Sequence, residues 1–126
     1  MKIKVEYSTL IVKSLVESVR FYKEVLGFKE GYHFDITGGG GITIMNSEGG
    51  ASVELIESRN FEIGLYSIGT DVDDLDVTIS HLKQKGYGTT GPVVNTSVGR
   101  QAFVLDPNGV RICLIEHTPE YKEKYM

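Results

Sequence analysis

Alternating apolar and polar residues open the chain, and a helical pattern follows them. Residues 3–12, IKVEYSTLIV, alternate well enough to predict a β-strand. Ser14 followed by Glu17 has the spacing of a capping box, which predicts a helix that begins beside it. The apolar positions that would share one face of this helix are Leu15, Val19, Tyr22 and Leu26. Gly27 suits the left-handed residue that ends a helix.

Three strands are predicted to complete this first half of the chain. Residues 28–36 form one strand, and residues 42–45 and 51–57 form a hairpin around a Glu-Gly-Gly turn. The four glycines at 38–41 are expected in a loop, because glycine weakens strand interiors. No helix start and no Lys-Ser pair follows them, so they do not resemble a phosphate-binding loop. We interpret them as a mobile rim or a dimer contact.

The second half has the same order of elements. Residues 64–72 predict a strand, and Asp73 or Asp74 would cap a helix that ends at Gly86. The apolar stripe of that helix is Leu75, Ile79 and Leu82. Residues 90–96 contain Gly-Pro and fit an edge strand, and residues 100–105 and 110–115 fit a hairpin. The polar tail after residue 117 is expected to be a short helix or a frayed end.

A repeat with a constant offset relates the two halves. Residues 46–57 align with residues 105–116 when the chain is shifted by 59 positions. This shift superposes Gly50 on Gly109, Leu55 on Leu114 and Glu57 on Glu116, and it also superposes Gly27 on Gly86. A constant offset across separate landmarks indicates a duplicated unit.

The turn at residues 106–109, Asp-Pro-Asn-Gly, predicts the register of the last hairpin. Its sequence suits a type I turn with a left-handed glycine and a one-residue bulge. Phe103 would then lie opposite Cys113, on a face shared with Arg111 and Ile115. The corresponding face of the first half would carry Ile44, Ser52, Glu54 and Ile56. If a helix covers the other side of each sheet, these two faces would enclose the candidate binding site.

Composition restricts the functional classes. The chain has 126 residues and a net charge of −4, which predicts one domain, residues 1–126, without a nucleic-acid surface. The single cysteine, Cys113, excludes an internal disulfide. No apolar run approaches the ~20 residues of a membrane span, and the first residues lack a signal-peptide core. We therefore expect a cytoplasmic protein.

Three segments resemble the vicinal oxygen chelate superfamily. They are SVRFYKEVLGF at 18–28, VDDLD at 72–76 and LDPNGVRICLIE at 105–116. This superfamily includes glyoxalase I, bleomycin-resistance proteins, fosfomycin-resistance transferases and extradiol dioxygenases. The resemblance implies an α+β fold with two tandem βαβββ modules, residues 3–57 and 64–116, and a tail, residues 117–126. The modules would form one cup-shaped mixed β-sheet with a helix on the back of each half. The resemblance also implies a homodimer.

The resemblance places the metal ligands of such enzymes on the first and last strands of each module. Those positions are Tyr7, Glu54, Ser67 (or Tyr66, if the strand slips by one residue) and Cys113. Only Glu54 is a usual carboxylate ligand, so we expect neither a metal nor another cofactor. The three histidines, His33, His81 and His117, lie at none of these positions, and we interpret them as surface or rim residues.

The candidate site combines one acid with largely apolar walls. Glu54 would act as a general base or accept a hydrogen bond from a ligand; the alternatives are a pair with Arg111 or a tyrosine, or a side chain that faces water in an open cup. Arg111 could hold a ligand carboxylate or phosphate through its planar fork, or could be a solvated strand residue. Cys113 is expected to be a small buried hydrophobe rather than a reactive thiol. The candidate ligand-binding residues are Tyr7, Thr9, Ile44, Ser67, Phe103, Arg111 and Cys113.

Two functions remain open. The first is a metal-independent protein of the bleomycin-resistance type that binds a small molecule, with Glu54 and Arg111 orienting the ligand. The second is a glyoxalase-like lyase or isomerase, in which Glu54 abstracts a proton next to a carbonyl and a divalent metal stabilises the product anion. Tyr7 and Ser67, which stand where many members carry histidine, favour the first.

Overall fold

The computed structural model describes all residues, Met1–Met126. The strands are β1 Ile3–Val12, β2 Lys29–Asp35, β3 Gly41–Asn46, β4 Ser52–Glu57, β5 Gly64–Val72, β6 Val94–Thr96, β7 Gly99–Leu105 and β8 Arg111–His117. The helices are α1 Leu15–Arg20, continued by a π-helical turn at Phe21–Val25, α2 Leu75–Gln84 and α3 Pro119–Tyr125. The chain divides into two compact units, Tyr7–Tyr66 and a second unit that joins Met1–Glu6 to Ser67–Met126.

The unit Tyr7–Tyr66 is a four-stranded mixed sheet with one helix against it. Its strand order is β2-β3-β4-β1, with β1 parallel to β4 and the other pairs antiparallel. Helix α1 packs on β3 and β4. Leu55 and Met45 are fully buried in this unit, as expected for strand residues that a helix covers.

The second unit repeats this arrangement. Its strand order is β5-β8-β7-β6, with β5 parallel to β8 and the remaining pairs antiparallel. Val72, Leu75, Val104 and Leu114 form its buried hydrophobic cluster, to which α2 contributes Leu75. The predicted α+β class with two βαβββ modules is therefore confirmed.

The two helices begin in the same way, which supports the predicted duplication. In the first half, the backbone N–H of Leu15 donates to the Glu57 carboxylate at 2.8 Å. In the second half, the N–H of Leu75 donates to the Glu116 carboxylate, also at 2.8 Å. Glu57 is the last residue of β4 and Glu116 the next-to-last residue of β8. Each acid satisfies a free N–H at the helix start, where the helix dipole also favours negative charge.

Side-chain caps complete both helix starts. Ser14 accepts a hydrogen bond from the N–H of Glu17 at 3.2 Å, which confirms it as the predicted N-cap. In the second helix the N-cap is Asp74, which accepts from the N–H of Val77 at 3.0 Å. The neighbouring Asp73 instead accepts a hydrogen bond from the backbone of Lys2 at 2.9 Å.

The first helical segment differs from its predicted stripe. The π-helical turn at Phe21–Val25 holds more residues per turn than an α-helix, so positions after it rotate away from the face set by Leu15 and Val19. Leu26 is consequently 48% exposed, and its predicted place on the buried stripe is wrong. Gly27 still ends the segment with a φ of 76°.

The Asp-Pro-Asn-Gly turn has the predicted conformation. Gly109 has a φ of 84°, and the Asp106 carboxylate accepts hydrogen bonds from the N–H groups of Asn108 and Val110 at 2.8 and 2.9 Å. The register of the hairpin places Phe103 opposite Cys113, as the one-residue bulge predicted.

The tail is ordered rather than frayed. Thr118 caps α3 by accepting a hydrogen bond from the N–H of Tyr121 at 3.1 Å, and Pro119 occupies the first helical turn. The three helices are too short and too polar for any of them to cross a membrane.

We predict that replacing Glu116 by Ala lowers the free energy of unfolding by about 1–2 kcal/mol, because the N–H of Leu75 loses its charged acceptor. Chemical denaturation followed by circular dichroism would measure this. Glu123→Ala, on exposed α3, is the matched control and should change little. Equal unfolding midpoints for the two variants would contradict a stabilising role of Glu116.

We also predict that Gly86→Val costs about 1–2 kcal/mol of folding stability, because Gly86 has a φ of 96° and a β-branched residue is strained there. A side chain at Gly86 would meet no atom within 4 Å, so the cost would come from the backbone alone. Gly88→Val is the control, because that position is equally open and has no positive φ. Comparable melting temperatures for both variants would disprove the argument.

Candidate functional site

The unit Tyr7–Tyr66 places Glu54 at the centre of one sheet face. Glu54 on β4 lies beside Thr9 on β1 and beside Ile44 on β3, since the strand registers pair it with both. Tyr7 and Ile44 are each 9% exposed and Thr9 is 3% exposed, while Glu54 itself is half-buried. A carboxylate among such neighbours requires hydrogen-bond partners, because burying an unpaired charge is costly.

Thr9 supplies one partner. Its Oγ1 donates to Glu54 Oε1 at 2.8 Å. The partner of this hydrogen bond is thus Thr9, whereas the sequence predicted Arg111 or a tyrosine. The hydrogen bond holds the carboxylate in one orientation, and a carboxylate has further lone pairs that accept hydrogen bonds. Such a group can accept a hydrogen bond from a ligand or take a proton from it.

The corresponding face of the second unit carries the remaining candidates. Ser67 pairs with Arg111 across β5 and β8, and Phe103 pairs with Cys113 across β7 and β8. Ser67 and Cys113 are buried, Phe103 is half-buried and Arg111 is exposed. Arg111 is therefore the most solvent-accessible residue of these four.

Cys113 is the buried small residue that the sequence predicted. It is 4% exposed, and its Sγ lies 3.9 Å from Oε1 of Gln101. Tyr66, the alternative to Ser67 at the predicted ligand position, packs its ring against Phe61 with a centroid distance of 5.0 Å. Ser67 is the buried residue of the two, in register with Arg111.

The residues at the four implied metal positions do not fit the divalent metal that enzymes of the vicinal oxygen chelate superfamily bind. They are the phenol of Tyr7, the carboxylate of Glu54, the hydroxyl of Ser67 and the thiol of Cys113. Divalent ions in such sites are held by imidazoles and carboxylates, and Glu54 is the one residue here of either kind. These four positions therefore do not form the metal site of those enzymes.

A second group of polar side chains, which the sequence analysis did not anticipate, lies within the unit that joins Met1–Glu6 to Ser67–Met126. Glu6, Asp71 and His117 each offer one metal-ligating atom, and these atoms lie within 4.8 Å of one another. Nε2 of His117 lies 2.9 Å from Oε1 and 3.2 Å from Oε2 of Glu6. We call this group the Glu-Asp-His cluster.

The environment of Asp71 in this cluster disfavours the charged form of its carboxyl group. Burial, and then the negative charge of Glu6, raise the pKa of the Asp71 carboxyl, while the positive charges of His117, Lys4 and Lys122 oppose that rise. Oδ1 of Asp71 is buried and has no hydrogen-bond partner. A buried carboxylate oxygen without a partner is uncommon in proteins.

The interpretation of His117 as a surface or rim residue is wrong. His117 is 4% exposed and is the last residue of β8, where it pairs with Gly99 of β7. The strand runs two residues beyond its predicted end at Ile115. Strand alternation would have placed His117 on the face of Cys113 had that end been predicted correctly. His33 and His81 are exposed, as expected.

The glycine-rich turn lines a cavity of about 420 Å³ within the unit Tyr7–Tyr66. Its walls are residues 36–40 and 57–60. Gly40 approaches the backbone oxygen of Glu57 so closely that a Cβ would collide with it. The turn is thus held against the end of β4, and its predicted role as a mobile rim or dimer contact stays a prediction.

Comparison with known proteins supports the fold and the family resemblance. The family model described as Glyoxalase/Bleomycin resistance protein/Dioxygenase superfamily matches residues 4–114. No curated protein sequence matches the chain.

Several solved structures share the fold. A hypothetical protein from Bacillus halodurans C-125 has 20% identity and a TM-score of 0.80 over 94% of this chain and 96% of its own. The methylmalonyl-CoA epimerase from Mycobacterium tuberculosis has 19% identity and a TM-score of 0.80 over 94% and 91%. A single-substitution variant of the Streptomyces coelicolor methylmalonyl-CoA epimerase, in complex with 2-nitronate-propionyl-CoA, has 17% identity and a TM-score of 0.75 over 92% and 95%. At these identities the likeness shows the fold alone.

Proposed function

Because the chain belongs to the glyoxalase/bleomycin resistance protein/dioxygenase superfamily, we propose that it binds a small molecule on its Glu54 face without using a metal there. The hydrogen bond from Thr9 to Glu54 carries this proposal. It orients a carboxylate on a face whose other members, Tyr7 and Ile44, are buried and largely apolar. Small-molecule sites typically combine such apolar walls with a few fixed polar groups.

The chemistry of the candidate residues indicates the class of ligand. Glu54 would accept a hydrogen bond from an N–H or O–H group of the ligand. In the second unit, the exposed residue Arg111 would by itself bind a carboxylate or phosphate through two parallel hydrogen bonds. Tyr7 would contact an aromatic or otherwise flat part of the ligand. The ligand proposed for the Glu54 face thus combines a flat apolar part with a hydrogen-bond donor.

Proton abstraction next to a carbonyl is the second candidate function. It is favoured by the fold likeness to methylmalonyl-CoA epimerases and by the presence of one carboxylate at the centre of the face. In this candidate Glu54 would be the base, and Thr9 would hold its carboxylate towards the carbon that loses the proton. The non-fitting donors Tyr7, Ser67 and Cys113 make it the weaker of the two candidates.

We also propose that the protein forms a homodimer, as the resemblance implied. Exposed apolar side chains are numerous on the first strand and the segment before β5; Val5 is 66% exposed and Ile63 is 68% exposed. Exposed apolar patches of this kind commonly mark contact surfaces between proteins.

We predict that a ligand found by thermal-shift screening of aromatic antibiotics and thiol adducts binds at least about tenfold more weakly to Glu54→Gln, because a charged acceptor is lost. Arg111→Ala should weaken the binding of anionic ligands without lowering the melting temperature. Isothermal titration would measure both affinities. Glu48→Gln, in an exposed turn, is the matched control and should bind normally. Unchanged affinity in Glu54→Gln would remove the Glu54 face from the binding site, and unchanged affinity in Arg111→Ala would remove Arg111.

The second candidate function is tested by incubation with methylmalonyl-CoA in deuterated water. If the first proposal is correct, mass spectrometry should detect no deuterium incorporation above that in buffer, with or without added divalent ions. Incorporation that falls by about a hundredfold or more in Glu54→Gln would instead establish Glu54 as a base. If deuterium is incorporated equally by Glu54→Gln and by the wild type, Glu54 is not the base that abstracts the proton.

A further inference from the structure

The Glu-Asp-His cluster has the composition of a metal site and lies outside the positions that the family resemblance implies. We propose that Glu6, Asp71 and His117 bind one divalent transition-metal ion such as Zn²⁺. The three residues come from β1, β5 and β8, and their ligating atoms lie within 4.8 Å of one another. All three belong to the same compact unit. The proposal is independent of the proposed function of Glu54.

The hydrogen bonds of His117 prepare Nε2 to act as a ligand. Its Nδ1 lies 3.2 Å from the backbone oxygen of Val98, which can only accept, so Nδ1 carries a hydrogen. Nε2 of the neutral ring therefore presents a lone pair to the Glu6 carboxylate, which also has only lone pairs. Two acceptors 2.9 Å apart require a proton or a cation between them. Histidine ligands of metals commonly donate their other nitrogen to a backbone carbonyl in this way.

Packing holds the imidazole in place. The ring of Tyr121, on α3, stacks on His117 with a centroid distance of 4.0 Å and an interplanar angle of 10°. The side chain of His117 is 2% exposed and that of Glu6 is 17% exposed. A ligand fixed in orientation before it meets the ion loses little conformational freedom when the ion binds.

The charge of the cluster also favours a divalent ion. One divalent ion would balance the charges of both Glu6 and Asp71, in addition to the positive charges of Lys4 and Lys122 that already act on Asp71. The buried Oδ1 of Asp71, which has no hydrogen-bond partner, is an independent sign of an unsatisfied acceptor here. A bound ion would supply the missing partner of the Asp71 carboxylate, for which the protein provides no hydrogen bond to Oδ1.

The donor types indicate which ion would bind. One imidazole with two carboxylates suits Zn²⁺, Mn²⁺ or Fe²⁺, whereas Ca²⁺ and Mg²⁺ prefer oxygen ligands alone. Ligands about 2.0–2.2 Å from one such ion stand roughly 3.0–3.5 Å apart. Nε2 of His117 and Oε1 of Glu6, at 2.9 Å, are already close to that spacing. Three protein ligands would leave a position for water.

Zinc titration of chelator-treated, dialysed protein tests the proposal. Isothermal titration with ZnCl₂ should show one ion per chain, and added zinc should raise the melting temperature. Asp71→Asn and Glu6→Gln should each weaken zinc binding at least about tenfold, since loss of even an indirect partner costs that much. Elemental analysis after desalting should find zinc in the wild type and little in these variants.

Two controls separate this site from others. His33→Gln removes an exposed imidazole that also stands near an aspartate, with Nε2 of His33 3.3 Å from Oδ1 of Asp35, and it should bind zinc normally. Glu54→Gln should likewise bind zinc normally, since Glu54 is not part of the cluster. Zinc that is lost with Glu54→Gln but kept in Asp71→Asn would place the metal at the family positions and overturn the proposal.

The remaining outcomes are equally decisive. A wild type that binds no zinc, or that binds it no better than both Asp71→Asn and Glu6→Gln, would show that a proton rather than a metal bridges His117 and Glu6. If a variant fails to fold, Co²⁺ is added to the chelator-treated wild type and its visible spectrum recorded. Absorption bands of bound Co²⁺ that excess Zn²⁺ removes would support the site, and their absence would refute it.

Discussion

The hydrogen bond between the last strand of each module and the first N–H of its helix is the interaction on which both halves depend. Glu57 accepts from Leu15 and Glu116 accepts from Leu75, each at 2.8 Å. A helix start has free N–H groups, and a carboxylate fixed on the sheet satisfies one of them while matching the helix dipole. The helix is thereby anchored to one side of each sheet, and the face with Glu54 or Arg111 lies on the other side.

Strand alternation then decides which residues are available for chemistry. Neighbours on a strand point to opposite faces, so anchoring Glu57 beneath the helix places Glu54 on the face opposite the helix. On that face Thr9 orients Glu54, and apolar side chains surround both residues. The same alternation on β8 places Glu116 beneath α2, and Cys113 and Arg111 on the other side. One structural plan thus provides two faces with different chemistry.

His117 illustrates how a small extension of a strand changes the interpretation of a residue. Because β8 continues to His117, the imidazole is buried rather than exposed, and α3 covers it through Tyr121. Burial obliges both ring nitrogens to find partners, which are the backbone of Val98 and the carboxylate of Glu6. The nearby Asp71 adds a second carboxylate. A residue with no role in the family pattern therefore becomes the centre of a polar cluster.

The sequence alone determined the order of the strands and helices, the duplication, the left-handed glycines and the register of the last hairpin. These features depend on local periodicity and turn chemistry, which a stretch of roughly ten residues contains in full. The sequence also placed Glu54 and Cys113 correctly on their strands. Only the tertiary structure decided the exposure of Leu26, the partner of Glu54 and the burial of His117. The exposure of Leu26 depends on a distortion of the helix, and the other two features depend on contacts between distant segments. Glu6 and His117 are 111 residues apart, so no local sequence pattern predicts their contact.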